Sequence, residues 1–248
     1  MNTSYEVPAL RRAHDVLEIL ARAATPVRAS ALVKATGLSR STLYLLLDSL
    51  EGRHWIEKRS EGYIVGLKLF ELGSAYVRHD GLQAAFRNEA RAFVAAHNEV
   101  VQLAVLDASD VVYIAREDAQ RPVRLVSDLG SRLPAHCCAL GKALLASLSD
   151  DEVAAMLPER LAAMTSHTTT RRSALLRELA GIRACGLATE REEVSAGLAC
   201  FAAYIGVTPL GKRVAVSTSV PLGRLEGRRE KQIATGIARI ASRIAAAL

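Results

Sequence analysis

Aromatic side chains make up only 4% of this 248-residue chain, with a single Trp. A core must therefore be built from Ala, Leu, Val and Ile, which a 50% hydrophobic composition supplies. Cysteines number four, two of them adjacent at Cys137 and Cys138. That is neither a disulfide framework nor a metal-ligand spacing, so a reducing cytoplasm is expected, with no metal or other cofactor. No run of about 18 apolar residues occurs, which excludes a membrane-spanning helix. The start, MNTSYEVPALRRAHD, lacks the apolar stretch of a secretory signal. Neither HExxH nor GxSxG is present, so metalloprotease and serine-hydrolase chemistry have no support. The net charge of +6 is compatible with nucleic acid, but residues 1–80 contribute only +2 and residues 221–248 contribute +4. Any argument for DNA must rest on pattern.

Residues 29–53, ASALVKATGLSRSTLYLLLDSLEGR, supply that pattern. A short helix over 29–35 buries Leu32 and Val33, and Gly37 offers the left-handed backbone of a sharp turn. Ser39 caps a second helix that places Leu43, Leu46, Leu47 and Leu50 on one face. Its other face opens with Arg40, Ser41, Thr42 and Tyr44, all hydrogen-bonding or stacking types suited to the major groove. Such a turn also occurs in helical hairpins that never touch DNA. The next segment decides between them: two β-prone runs, 55–59 and 63–66, flank Ser60-Glu61-Gly62. A hairpin directly behind a recognition helix is a wing, and it brings Lys58 and Arg59 near phosphates. Ahead of the motif, Leu10, Val16, Leu17, Ile19 and Leu20 form the apolar stripe of a first helix, and Arg28 leads into the second. The expected DNA-binding residues are Arg28, Ser39, Arg40, Ser41, Thr42, Tyr44, Lys58 and Arg59.

Beyond Gly66 the period is helical to about residue 98, as two helices broken at Asp80-Gly81. It then turns to β. Residues 100–106 and 111–115 flank an Asp- and Ser-rich turn, and 123–126 extends this hairpin. Helices follow at 138–148, 150–157 and 171–185, strands at 187–190, 200–208 and 213–220, and an amphipathic helix at 224–247. Three parts are predicted: a winged helix-turn-helix DNA-binding domain over 1–66, a helical connector and dimerisation segment over 67–98, and a third domain over 99–248. The class is α+β around an antiparallel sheet.

Two internal segments carry a resemblance. LPAHCCALGKALLA over 133–146 looks like the hallmark of the IclR family of bacterial transcriptional regulators, and GLATEREE over 186–193 with GLAC over 197–200 resembles its second signature. With the N-terminal module they cover the chain from about Ala9 to Leu248. The resemblance implies a GAF-like effector-binding domain, a homodimer or homotetramer, an imperfect palindromic double-stranded operator, and control of an adjacent catabolic operon. It also implies a small-molecule effector, a carboxylate in those members that bind a small acid. Carried over by motif, Ala139 and Leu140 meet the ligand at the hallmark helix, and Glu190, Cys200, Ser217 and Ser219 meet it from strands. Leu125 is added from the strand before. Some relatives have Asp where this chain has Glu190. The residues agree independently: alternation puts Val214, Val216 and Val220 on one face of a strand and Ala215, Ser217 and Ser219 on the other, a small polar wall. The N–H groups opening the helix near Cys138 favour an anion.

Other readings fare worse. Gly141-Lys142-Ala143 is not a phosphate loop, because position 136 is His and position 143 is Ala, and Lys142 is expected on a helix surface. A GAF-like thiol enzyme would use Cys137 or Cys138 beside His136, but no second His or carboxylate is tied to them by sequence. A sensor that keeps the wing as a protein-binding surface is the third alternative.

Overall fold

The computed structural model describes residues 6–77, 81–120 and 125–247. The chain divides into two units, Met1–His79 and Asp80–Leu248. In the first, α1 (Pro8–Arg22), α2 (Ala29–Thr36) and α3 (Arg40–Glu51) precede a hairpin of β1 (Ile56–Arg59) and β2 (Gly62–Val65), and α4 (Leu67–Val77) follows. The core is aliphatic as composition requires. Ala13, Val16 and Leu20 of α1 meet Leu32, Leu43, Leu47 and Leu50, with Ile56 and Tyr63 from the hairpin. Leu10 departs from the expected stripe: it is 65% exposed, one turn before Ala13 and beyond the edge of this cluster.

Gly37 adopts φ +68° and closes α2, and the Ser39 hydroxyl accepts the Thr42 N–H at 3.2 Å to cap α3. The wing turn is tighter than expected. Gly62 joins β2 opposite Arg59, leaving Ser60 and Glu61 as a two-residue loop. The cause lies elsewhere in the chain: Val27 and Tyr63 exchange two backbone hydrogen bonds, each 2.9 Å, and a Cβ on Gly62 would sit 2.5 Å from the Val27 carbonyl. Only glycine admits that approach.

In the second unit, α5 (Leu82–His97) leads into β3 (Val100–Asp107), β4 (Asp110–Glu117) and β5 (Arg132–Pro134). After α6 (Ala139–Leu145), α7 (Asp150–Met156) and α8 (Arg172–Cys185) come β6 (Ala188–Arg191), β7 (Leu198–Val207), β8 (Arg213–Pro221) and α9 (Arg228–Ala245). The strands form one antiparallel sheet in the order β5-β4-β3-β8-β7-β6. Alternation along β8 sorts the two cores. Val214, Val216 and Val220 pack with Phe86 and Phe93 of α5 and Ile233, Ile237 and Ile240 of α9. Ala215 faces Leu140, Leu144 and Leu145 of α6 and Leu175 and Leu179 of α8. Of the two helices grouped as a connector, α4 lies in the first unit and α5 in the second. Of the strand expected over 123–126, residues 123 and 124 lie outside the described residues, and Leu125 and Val126 are irregular. Among the described residues the next strand after β4 is β5 at Arg132, after a turn in which the Asp128 N–H bonds the Ser131 hydroxyl at 2.8 Å.

Candidate functional site

The first candidate surface is the front of α3. With Leu43, Leu47 and Leu50 buried, Arg40, Ser41 and Tyr44 on the same helix are exposed, and Thr42 is half-buried. The Ser39 hydroxyl also donates to Thr42 Oγ1 at 2.9 Å, so these side chains are ordered as a group. Arg28 is exposed at the start of α2, and Lys58 and Arg59 are exposed on the wing, Arg59 paired with Glu57. Leu45, which sequence reading assigned to neither face of the helix, is 73% exposed beside Tyr44.

The second candidate is a cavity against the α6 side of the sheet, about 330 Å³ including its open mouth. Its wall comes from β4 (Tyr113), loop residues Leu125, Val126 and Ser127, Cys138, and strands and loop around β6 to β8 (Glu190, Val194, Ser195, Cys200 and Ser219). Leu125, Glu190, Cys200 and Ser219 thus line it, Leu125 from a loop rather than a strand. Ala139, Leu140 and Ser217 are buried outside the lining, the first two in the α6 core. Tyr113, Ser127 and Ser195 are lining residues that sequence reading did not find, and Cys138, which it marked only as the start of the helix, lines the cavity as well.

Hydrogen bonds preorganise this wall. Glu190 accepts the Glu193 N–H at 2.9 Å, and Cys200 Sγ lies 3.2 Å from Ser219 Oγ. Ser127 exchanges bonds with Gln102 at 3.0 and 3.3 Å. Among the described residues the lining contains no Lys, Arg or His. Burial raises the Glu190 carboxyl above its ordinary value, and burial holds Tyr113 as a neutral phenol. The N–H groups at the helix start are partly used already: Cys138 caps α6, its sulfur accepting the Gly141 N–H at 3.4 Å.

The thiols are not set up as nucleophiles. Burial pushes Cys137 up to about 12 and Cys138 further still, and it raises Cys200 well above the ordinary thiol value. His136 spends its Nε2 on the Ala162 carbonyl at 2.8 Å. Gly141 serves packing: a Cβ there would fall 2.1 Å from the Ala135 carbonyl oxygen. Lys142, expected on the surface, is 1% exposed and ion-paired with Glu178 and Glu193. Among the described residues no cluster could hold a metal ion, and no helix is long and apolar enough to cross a membrane.

Residues 74–246 match the family model for the bacterial transcriptional regulator IclR C-terminal region, and residues 9–60 match that for the IclR helix-turn-helix domain. The chain is 32% identical to the HTH-type transcriptional regulator Rv1719 of Mycobacterium tuberculosis, covering 90% of this chain and 85% of that protein. It is 28% identical to the transcriptional repressor IclR of Escherichia coli, covering 96% and 89%. The crystal structure of an IclR homolog complexed with 4-hydroxybenzoate, from Microbacterium hydrocarbonoxydans, superposes with a TM-score of 0.82 at 25% identity, covering 97% and 98%.

Proposed function

Because the chain belongs to the IclR family of bacterial transcriptional regulators, which are not enzymes, we propose that it controls a catabolic operon in response to a small organic acid. One observation carries the reading: a single chain holds both a polar face on a leucine-backed recognition helix and a half-open, preorganised cavity. Arg40, Ser41, Thr42 and Tyr44 would enter the major groove, Arg28, Ser39, Lys58 and Arg59 would meet phosphates, and Leu45 would reach a thymine methyl. The exposed apolar residues of α4, Leu67, Phe70 and Leu72, support pairing into a dimer or tetramer. Two modules then read an imperfect palindrome with half-sites about one helical turn apart. Such a protein works beside the chromosome in the cytoplasm.

For the effector, the homolog's 4-hydroxybenzoate supports an acid, and the lining sets its terms. With no cation among the described lining residues, the carboxylate would be held by the Tyr113, Ser195 and Ser219 hydroxyls and by Glu190 in its protonated form. Ala139, Leu140 and Ser217 would act one layer behind, shaping the wall, and Leu125 would cover it. Binding then takes up a proton. Calorimetry of the full chain with 4-hydroxybenzoate and a panel of short-chain carboxylates, in buffers of different ionisation heat, tests this. A carboxylate that binds more tightly at pH 6 than at pH 8, with proton uptake, is expected. Tight binding only of cations would refute the acid.

A further inference from the structure

Lys142 is a buried cation outside the lining of the effector cavity. Its Nζ donates to Glu178 of α8 at 2.6 Å and to Glu193 in the loop after β6. Both acceptors then converge on one residue: Thr169 gives its N–H to Glu193 at 3.1 Å and its hydroxyl to Glu178 at 2.8 Å. The Thr168 hydroxyl donates to the Glu193 carbonyl at 2.7 Å, and the Thr165 hydroxyl to the Glu192 carbonyl at 2.6 Å. Four parts of the chain are tied together here: α6, α8, the 165–169 segment and the 191–197 loop. That loop runs through Glu192 at φ +59°, a conformation that a side chain disfavours and that its surroundings must hold. The same loop supplies Val194 and Ser195 to the cavity wall, and its Glu193 N–H orients the Glu190 carboxyl.

We propose that Lys142 is a positioning residue for the effector cavity: its ammonium latches the 191–197 loop to α8 and the 165–169 segment, and so fixes Val194, Ser195 and Glu190. The charges explain why a cation is needed. Without it, the Glu178 and Glu193 carboxylates share only the neutral Thr169 donors and no cation, and the Glu193 side chain is only 10% exposed. Like charges in a site of low dielectric repel, and the loop is the part free to give. Burial pulls the Lys142 pKa down, but the two carboxylates outweigh it and raise it above the ordinary lysine value, so the latch stays charged through neutral pH. Its importance to regulation rests on the effector reading of the cavity; the latch itself does not.

The test is therefore ligand-free. Amide hydrogen exchange of the full chain is followed by mass spectrometry for the wild type, Lys142→Met and Lys142→Arg. In Lys142→Met, peptides covering 165–170 and 190–198 should exchange about tenfold faster, while α5 and α9 peptides, on the opposite face of the sheet, keep the wild-type rate. Lys142→Arg, which keeps the cation, should restore most of the protection. Uniform acceleration that includes α9 would make Lys142 a general stabiliser, and unchanged exchange would remove the latch; either overturns the proposal. If Lys142→Met does not fold, Glu193→Gln, which keeps the shape and removes one acceptor charge, should give the same local pattern. A positive exchange result beside a cavity that binds no acid would leave the latch standing and refute only the effector reading.

Discussion

Ser39 is the residue at which folding and DNA reading can be pulled apart. Its hydroxyl accepts the Thr42 N–H at 3.2 Å, capping the helix that carries Arg40, Ser41 and Tyr44. Ser39→Ala removes that acceptor and leaves an N–H of the first turn to water, at a cost of about 1 kcal/mol. The first unit spans Met1–His79, and for a domain of this size such a loss lowers Tm by about 4–8 °C. The assay is built in. Trp55 is the only tryptophan of the chain and packs against the core of this unit, so its fluorescence follows the DNA-binding unit selectively. Ser39→Asp has a different outcome. Its carboxylate can still cap, and a negative charge at a helix start is favourable, so the Trp55 transition should stay in place or rise. Yet it sets a negative charge beside the face proposed to meet phosphates, and operator affinity should fall by about tenfold or more. A Ser39→Ala protein with an unmoved transition would refute the capping account. A Ser39→Asp protein that grips DNA like the wild type would remove the start of α3 from the interface.

Two other outcomes follow from geometry. Gly62→Ala must push its new Cβ out of the Val27 carbonyl 2.5 Å away, separating the wing from the 27–63 bridge; a loss of about 2 kcal/mol or more in the Trp55 transition is expected. Glu190 has a raised pKa in the fold, so the protonated carboxyl is the form the fold prefers, and the stability it contributes is lost as pH rises from about 4.5 through the folded value. Glu190→Gln should therefore gain over the wild type in thermal melts of the second unit as pH is raised from 5 to 8, and a gap that does not change with pH would contradict the burial of that charge.

The helix-turn-helix was legible because its signals are local. The glycine turn at Gly37, the Ser39 cap and the leucine spacing of α3 all lie within fifteen residues of one another, and the structure shows each of them. What the sequence hid is set by distant partners. Gly62 reads as a turn residue until Val27 is seen against it, and Leu10 reads as core until the cluster is seen to begin at Ala13. Lys142 reads as surface because its two acceptors lie 36 and 51 residues away. The cavity was half legible. Strand alternation on β8 correctly turned Ser219 toward the α6 side, but Tyr113, Ser127 and Ser195 arrive from separate segments and carry no shared pattern. Ser217 obeys the same alternation and is still buried off the lining, since period fixes a face and not a position along it.

The measurement closest to the central claim is a fluorescence-anisotropy titration of the full chain on DNA from just upstream of its own gene, across a salt series, for the wild type and Arg40→Ala. The account predicts a specific complex whose affinity falls steeply with salt, and a loss of about 1–3 kcal/mol in Arg40→Ala if the arginine reads a guanine. Unchanged affinity in Arg40→Ala, with the same salt slope, would take the exposed face of α3 out of DNA recognition and contradict the account.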